Sequence, residues 1–163
     1  MNASPSTPLE VVEAFLAALE TMDMVKGLAL VAEDCEYTNV PIGTVHGHGG
    51  ITLEHVKALA LHYDLKPGDR FSWFTTTGWM MWNFLASAAL VGATAVLFDG
   101  DPGSPDLSTL WRLASDERLD VFGVSAPFVM ACRKGGLEPR RDHDLSQLRH
   151  LGSTGAPLPP DGF

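Results

Sequence analysis

Residues 70–98 read RFSWFTTTGWMMWNFLASAALVGATAVLF, and their pattern decides the fold class. Arg70–Thr75 has strand composition, with Phe71 and Trp73 alternating with Ser72. Trp79–Val91 is apolar around a full helical circumference, which suits a buried helix. Thr94–Phe98 again has β-strand composition. A strand, a helix and a second strand joined so closely imply parallel strands with a crossover helix. The run Trp79–Phe98 is about as long as a membrane span. Gly92-Ala93-Thr94 interrupts it, however, and Asp99 and Asp101 follow it where a basic flank would be expected. The sequence therefore predicts a buried helix and a buried strand, and no membrane association.

The same alternation continues outward. Asp99–Gly103 is a turn, and a helix is predicted over Asp106–Glu117, capped by Asp106 or Ser104. A strand follows over Val121–Ser125, a helix over Pro127–Lys134 ended by Gly135-Gly136, and a strand over Leu148–Gly152. On the N-terminal side, Lys66–Asp69 is a turn and Ile51–Tyr63 a helix. Pro41–Gly50 is the most loop-like stretch and the candidate domain boundary. Before it, Thr7 and Glu10 form a capping box that opens a helix running to about Asp23. A shorter helix is expected over Val25–Ala32, and a strand over Cys35–Val40. The expected class is α/β: an incomplete parallel sheet of three or four strands with crossover helices, preceded by an N-terminal helical pair and one strand.

With 163 residues, 45% of them apolar, the chain suits one globular domain. Twenty acidic side chains against eleven basic ones give a net charge of −9, which repels polyanions and argues against a nucleic-acid partner. The two cysteines, Cys35 and Cys132, lie in apolar segments and outside any metal-ligand spacing. His46, His48, His55 and His62 lack the neighbouring ligands of a metal site, so no metal is expected. The polar Met1–Thr7 segment is no signal peptide, and the expected location is cytoplasmic.

Parallel sheets present ligands beyond the carboxyl ends of their strands. Two segments fall there. Thr75-Thr76-Thr77-Gly78-Trp79 could meet an anion at a helix start, or simply cap that helix. Gly152-Ser153-Thr154-Gly155-Ala156-Pro157 allows close backbone approach to a planar or phosphate group, or merely connects elements. Tyr37 and Asn39 fall on one face of the first strand. They could hold a water molecule or line a cavity mouth.

Val45–Ile51, Gly68–Phe71, Trp73–Asn83, Met130–Lys134 and Leu151–Leu158 closely resemble acetoacetyl-CoA synthetases, a family of adenylate-forming, AMP-binding ligases. The resemblance implies that Trp79, Met80 and Met81 line an acyl pocket and that Gly155, Ala156 and Pro157 lie against adenine. It also implies ATP and Mg²⁺ as cofactors, CoA as co-substrate, and a small carboxylate as the substrate. The family's Lys-bearing phosphate loop would precede Val45, where this chain has Cys35–Thr44. Its metal-binding Glu motif and catalytic Lys would fall after Phe163. No catalytic residue is therefore assigned, and the chain is expected to be incompetent alone. Thr7–Glu20 and Tyr37–Pro41 resemble the start of limonene-1,2-epoxide hydrolases, whose water-holding pair would match Tyr37 and Asn39. The expected division is 1–44 and 45–163. The alternatives are an epoxide-hydrolase-like protein and a non-catalytic interaction domain, and self-association through an exposed sheet edge is expected.

Overall fold

The computed structural model describes residues 7–20, 26, 29–30, 32–39 and 43–163. Helix α1 spans Pro8–Glu20. Its start is the expected capping box: Thr7 N donates to Glu10 Oε2 at 3.0 Å, and Glu10 N donates to Thr7 Oγ1 at 3.3 Å. The second helix expected over Val25–Ala32 falls largely outside the described residues. Strand β1, Glu36–Asn39, pairs antiparallel with β2, Gly43–His46, in the register Glu36 to His46 and Asn39 to Gly43.

That hairpin corrects the expected loop at Pro41–Gly50. Over its described part, the stretch is strand β2 followed by the first turn of helix α2, Gly47–Lys57. β-Branched Thr44 and Val45 favour the strand. Gly47 then turns the corner at φ +68, where a side chain would be strained, and its N–H donates to Cys35 O at 2.8 Å. Strand β2 crosses the boundary expected near Thr44.

The main sheet has four parallel strands in the order β4-β3-β5-β6. They are β3 Arg70–Trp73, β4 Thr94–Ala95, β5 Val121–Ser125 and β6 His150–Thr154. The connecting helices are α3 Met80–Ala86, α4 Thr109–Asp116, α5 Ala126–Lys134 and α6 Pro139–Asp142. Helix α2 ends in a wide turn over Ala58–His62, and α3 tightens over Ser87–Val91 before Gly92, at φ +73, stops it. Among the described residues no helix is long and apolar enough to cross a membrane.

Several expected elements change extent: the last strand, expected over Leu148–Gly152, is His150–Thr154, and the helix expected over Ile51–Tyr63 begins at Gly47. The strand expected over Thr94–Phe98 keeps two residues, Thr94 and Ala95, paired with Arg70 and Phe71, although β3 itself runs on to Trp73. After one further bond from Val96 N to Phe71 O, the chain leaves the sheet. Helix α4 starts at Thr109 because Asp106 closes a turn instead, accepting from Ser108 N through its carboxylate and from Thr109 N through its carbonyl. The cap of α5 is Ser125, whose hydroxyl accepts from Phe128 N at 3.3 Å.

Strand alternation sorts the core into two layers. Phe71, Trp73 and Val121 join Leu59, Phe84 and Leu85 under α2 and α3. Phe122 and Val124 join Leu110, Trp111, Phe128 and Cys132 under α4 and α5. The Trp73 indole lies flat across two neighbouring strands. A Cβ at Gly123 of β5 would come within 1.9 Å of it, and one at Gly152 of β6 within 2.5 Å. Only glycine fits at either place. At the opposite end of the sheet, buried Asp120 accepts from Arg70 N at 2.9 Å and from Gln147 Nε2 at 2.8 Å. Burial pushes its carboxyl up, but these hydrogen bonds and Arg149 outweigh that and hold it below the usual range.

Helices α2 and α3 are joined by a polar contact inside the first layer. His55, 2% exposed, lies with Nδ1 2.5 Å from Ser87 Oγ. The Ser87 hydroxyl donates its single proton to Asn83 O at 2.7 Å, so His55 Nδ1 must be the donor to Ser87. Burial pushes the imidazole below its usual 6.5, and the Glu54 charge offsets part of that.

Two predictions follow from this packing. In urea unfolding, Gly123→Ala should cost about 1–3 kcal/mol through overpacking. In a Trp73→Ala background the same methyl should cost under about 0.5 kcal/mol, and an equal cost in both would refute the stacking. His55 binds its proton more weakly when folded, so its contribution to stability is full above 6.5 and is lost as pH falls through 6.5 towards the lower folded value. The melting temperature should therefore drop more steeply between about pH 8 and about pH 5.5 in the native chain than in His55→Gln. Parallel curves would contradict this.

Candidate functional site

The first segment expected to meet a ligand lies beyond the carboxyl end of a parallel strand, as its sequence position implies, but of the second only Gly155–Pro157 does, because β6 runs to Thr154 and includes Gly152, Ser153 and Thr154. The first follows β3. Thr76, Thr77 and Gly78 are exposed, Trp79 N donates to Thr76 O at 3.1 Å, and Trp79 adopts the extended conformation that starts α3. The second runs on from β6. Gly155 stands at φ +89 with nothing within 4 Å of a Cβ built there. Ala156 and Pro157 after it are also exposed.

Between these segments and α2 lies a pocket of about 240 Å³. Its floor is Trp73 and Phe84, one wall is Met80 and Met81 at the start of α3, and the opposite wall is Ser153 and Thr154 at the end of β6. The rim is formed by α2, with Glu54, His55, Lys57, Ala58 and His62, and by Tyr63. The Trp73 stack shapes this pocket. Because β5 and β6 carry no side chain beneath the indole, the ring can lie flat at its base.

The structure brings Met80 and Met81 into one pocket with the strand end that leads to Gly155. It does not bring Trp79 there. Trp79 is 61% exposed and lies outside the lining. Alternation at the helix start explains this, since the buried face of α3 is Met81, Phe84 and Leu85. Gly155, Ala156 and Pro157 sit at the pocket's edge in sequence but outside its lining. The backbones of Tyr37 and Asn39 lie in β1, away from the parallel sheet, and pair with Val45 and Gly43.

Lys57 is the pocket's Lys side chain, and its Nζ lies 2.5 Å from Glu54 Oε2. Both are partly buried, which keeps the pair less screened than a surface contact. Sequence reading missed Lys57 and Glu54, weighed His55 only as a metal ligand, and took Ser153 and Thr154 only as part of the segment after the last strand. The i, i+3 spacing of Glu54 and Lys57 on a predicted helix was the available signal. Among the described residues no three His, Cys, Asp or Glu side chains converge on a metal position. Glu54 is the carboxylate of the pocket lining and is already held by Lys57, so these residues do not fit Mg²⁺. For a nucleotide, the exposed, glycine-containing strand end offers open backbone to a flat base.

Comparison with known proteins agrees with the parallel-sheet fold. A family described as "AMP-binding enzyme" matches residues 38–162, and one described as "Limonene-1,2-epoxide hydrolase catalytic domain" matches residues 6–66. The two matches overlap across the hairpin and α2. The acetoacetyl-coenzyme A synthetase of Rhizobium meliloti (strain 1021) is 52% identical over 126 residues, covering 77% of this chain and 19% of that protein. The acetoacetyl-CoA synthetase of Danio rerio is 38% identical over the same shares of each. The solved structure of the acetoacetyl-CoA synthetase from Streptomyces lividans superposes with a TM-score of 0.70 at 57% identity, covering 72% of this chain and 18% of that one. The chain thus spans about a fifth of the length of the curated relatives it matches. With an AMP-binding match running through every strand of the parallel sheet, and with the epoxide-hydrolase likeness confined to its first part, the chain belongs to the AMP-binding enzyme family.

Proposed function

We propose that this chain is the acyl- and adenine-holding part of an acid–CoA ligase of the acetoacetyl-CoA synthetase type, and that alone it binds ligands without completing adenylation. The observation that carries the binding reading is the pocket between Met80–Met81 and Ser153–Thr154, which opens beside the strand end at Gly155. Its volume of about 240 Å³ suits a small acid better than a drug-sized molecule. Lys57 at its rim supplies a cation for a carboxylate, at the expense of its contact with Glu54. Adenine would lie along Gly155, Ala156 and Pro157, where a backbone without side-chain obstruction allows stacking distance. CoA enters this reading through the relatives alone.

Incompetence rests on what occupies the place before Val45. A phosphoryl centre is stabilised by preorganised amides and cations. Here β1 and β2 form a hairpin whose backbone groups pair with each other. A hairpin strand cannot also wrap a triphosphate. The pocket carboxylate is committed to Lys57, which leaves no fitted Mg²⁺ position in it. A second reading has its own support, since the epoxide-hydrolase match covers residues 6–66. Under it, Tyr37 and Asn39 would hold a water molecule. The relevant reactant would then be an epoxide.

Acetoacetate-dependent exchange of labelled pyrophosphate into ATP, run with Mg²⁺ on the folded chain, should stay at the blank. Exchange above it would overturn the claim of incompetence. Saturable acetoacetate binding, read by calorimetry, should weaken at least about tenfold in Met80→Glu, worth about 1.4 kcal/mol. Met80 is 41% exposed, so a charge there should leave folding intact and repel the carboxylate. Unchanged binding would remove the acid from this pocket.

A further inference from the structure

The pocket above Trp73 has sides of unlike chemistry. One is thioether and aromatic, with Met80, Met81 and Phe84 beside the indole. The facing side is the end of β6. Side chains alternate along a strand, so the face each β6 residue takes can be read from its neighbours. The His150 and Tyr63 rings meet edge-on with centroids 6.2 Å apart, and Gly152 lies beneath the Trp73 indole. Both contacts belong to the sheet face that carries the pocket. Thr154, two residues beyond Gly152, falls on that face, and Leu151 and Ser153 fall on the other. Thr154 is therefore the side chain that β6 turns towards the pocket.

Its hydroxyl is uncommitted. Other hydroxyls at this end of the sheet and on α3 are in use. Thr75 Oγ1 donates to Thr76 O, Ser87 Oγ donates to Asn83 O, and Ser125 Oγ accepts from Phe128 N. Ser125 is the register partner of Thr154 on β5. Among the described residues no protein group takes up Thr154 Oγ1. Thr154 thus offers one O–H donor to whatever enters. Lys57 stands at the α2 rim of the same pocket, so a cation and a neutral donor reach it from different elements.

We propose that Thr154 is a specificity-determining residue of this pocket, and that its hydroxyl donates to a carbonyl oxygen on the chain of the bound acid, which selects 3-oxo acids over saturated acids of equal length. The inference rests on the acid reading of the pocket given above. A ketone oxygen only accepts, and Thr supplies the missing donor. Without it, a ketone taken out of water gives up its hydrogen bond and gains none. A saturated acid has no oxygen to satisfy and leaves the hydroxyl unpaired. Met80 and Met81 pack against carbon and suit either acid. Recognition through a hydrogen bond discriminates more strongly than a small difference in pocket size.

Calorimetric titration with acetoacetate and with butyrate, which differ only at the 3-oxo group, isolates this contact. The native chain should bind acetoacetate at least about tenfold more tightly than butyrate. Thr154→Val keeps the β-branched shape that suits a strand and removes the donor. It should weaken acetoacetate at least about tenfold and leave butyrate within about twofold, so that the preference disappears. Thr154→Ser retains the donor and should retain the preference. A preference that survives Thr154→Val, or an equal loss of both acids, would overturn the role of Thr154 and leave the acid pocket standing. A native chain that binds neither acid would overturn the acid reading and this inference with it.

Discussion

A single aromatic ring sets the geometry of the parallel sheet. Trp73 ends β3, and its indole occupies the space above Gly123 and Gly152 on the next two strands. The ring is 4% exposed and makes edge contacts with Phe71, Phe84 and Tyr63. Any side chain at either glycine would lift it. Lifting it would in turn displace Phe84 and Met81, which belong to the same buried cluster. Glycine in the interior of a strand is otherwise a weakness, for it packs nothing and orders at a higher entropic cost. Here the two glycines are tolerated because one large apolar surface covers both.

The pocket hangs from this stack. Its floor is the same indole, and its two walls are the first turn of α3 and the end of β6, the elements the ring holds apart. The third side, α2, is fixed to α3 by the His55–Ser87 contact, with Ser87 tied back to its own helix at Asn83. A buried imidazole is a demanding tie, since burial favours its uncharged form and protonation, which leaves the Nδ1–H donor in place, puts a charge inside the layer. The far end of the sheet is pinned differently. Asp120 gathers the starts of β3 and β6 through Arg70, Gln147 and Arg149. The apolar stack thus serves the carboxyl end of the sheet, and the polar tie serves the opposite one.

The βαβ alternation was legible because its periods are strong. β5 was read at its full extent, Val121–Ser125, and the capping box at Thr7 and Glu10 formed as its spacing implies. The glycines misled at Gly47–Gly50, where a rich turn composition hid a strand-to-helix corner. The same residue type in Gly123 and Gly152 carried the signal of close approach, but a lone glycine does not say what approaches. Helix α6 is one turn long and leaves no periodicity to detect. At the site, Met80 and Met81 were implied by the family resemblance, next to the Thr75–Trp79 segment that the pattern put after a parallel strand. That Trp79 would face outward depended on where α3 begins, and helix starts are the least certain feature of a pattern. Lys57 and Glu54 come to the pocket only through the tertiary packing of α2 across the sheet.

In the proposed reading, ligands bind at the carboxyl end of this sheet, which Trp73 shapes. Backbone amide chemical-shift perturbation, measured by NMR on the folded chain titrated with acetoacetate and ATP, addresses that claim residue by residue. Saturable shifts are expected at Met80, Met81 and Ser153–Ala156, with no response along Arg140–Ser146 on the far flank. Shifts concentrated on that flank or on the β1–β2 hairpin, with Met80 and Ser153 unmoved, would contradict it.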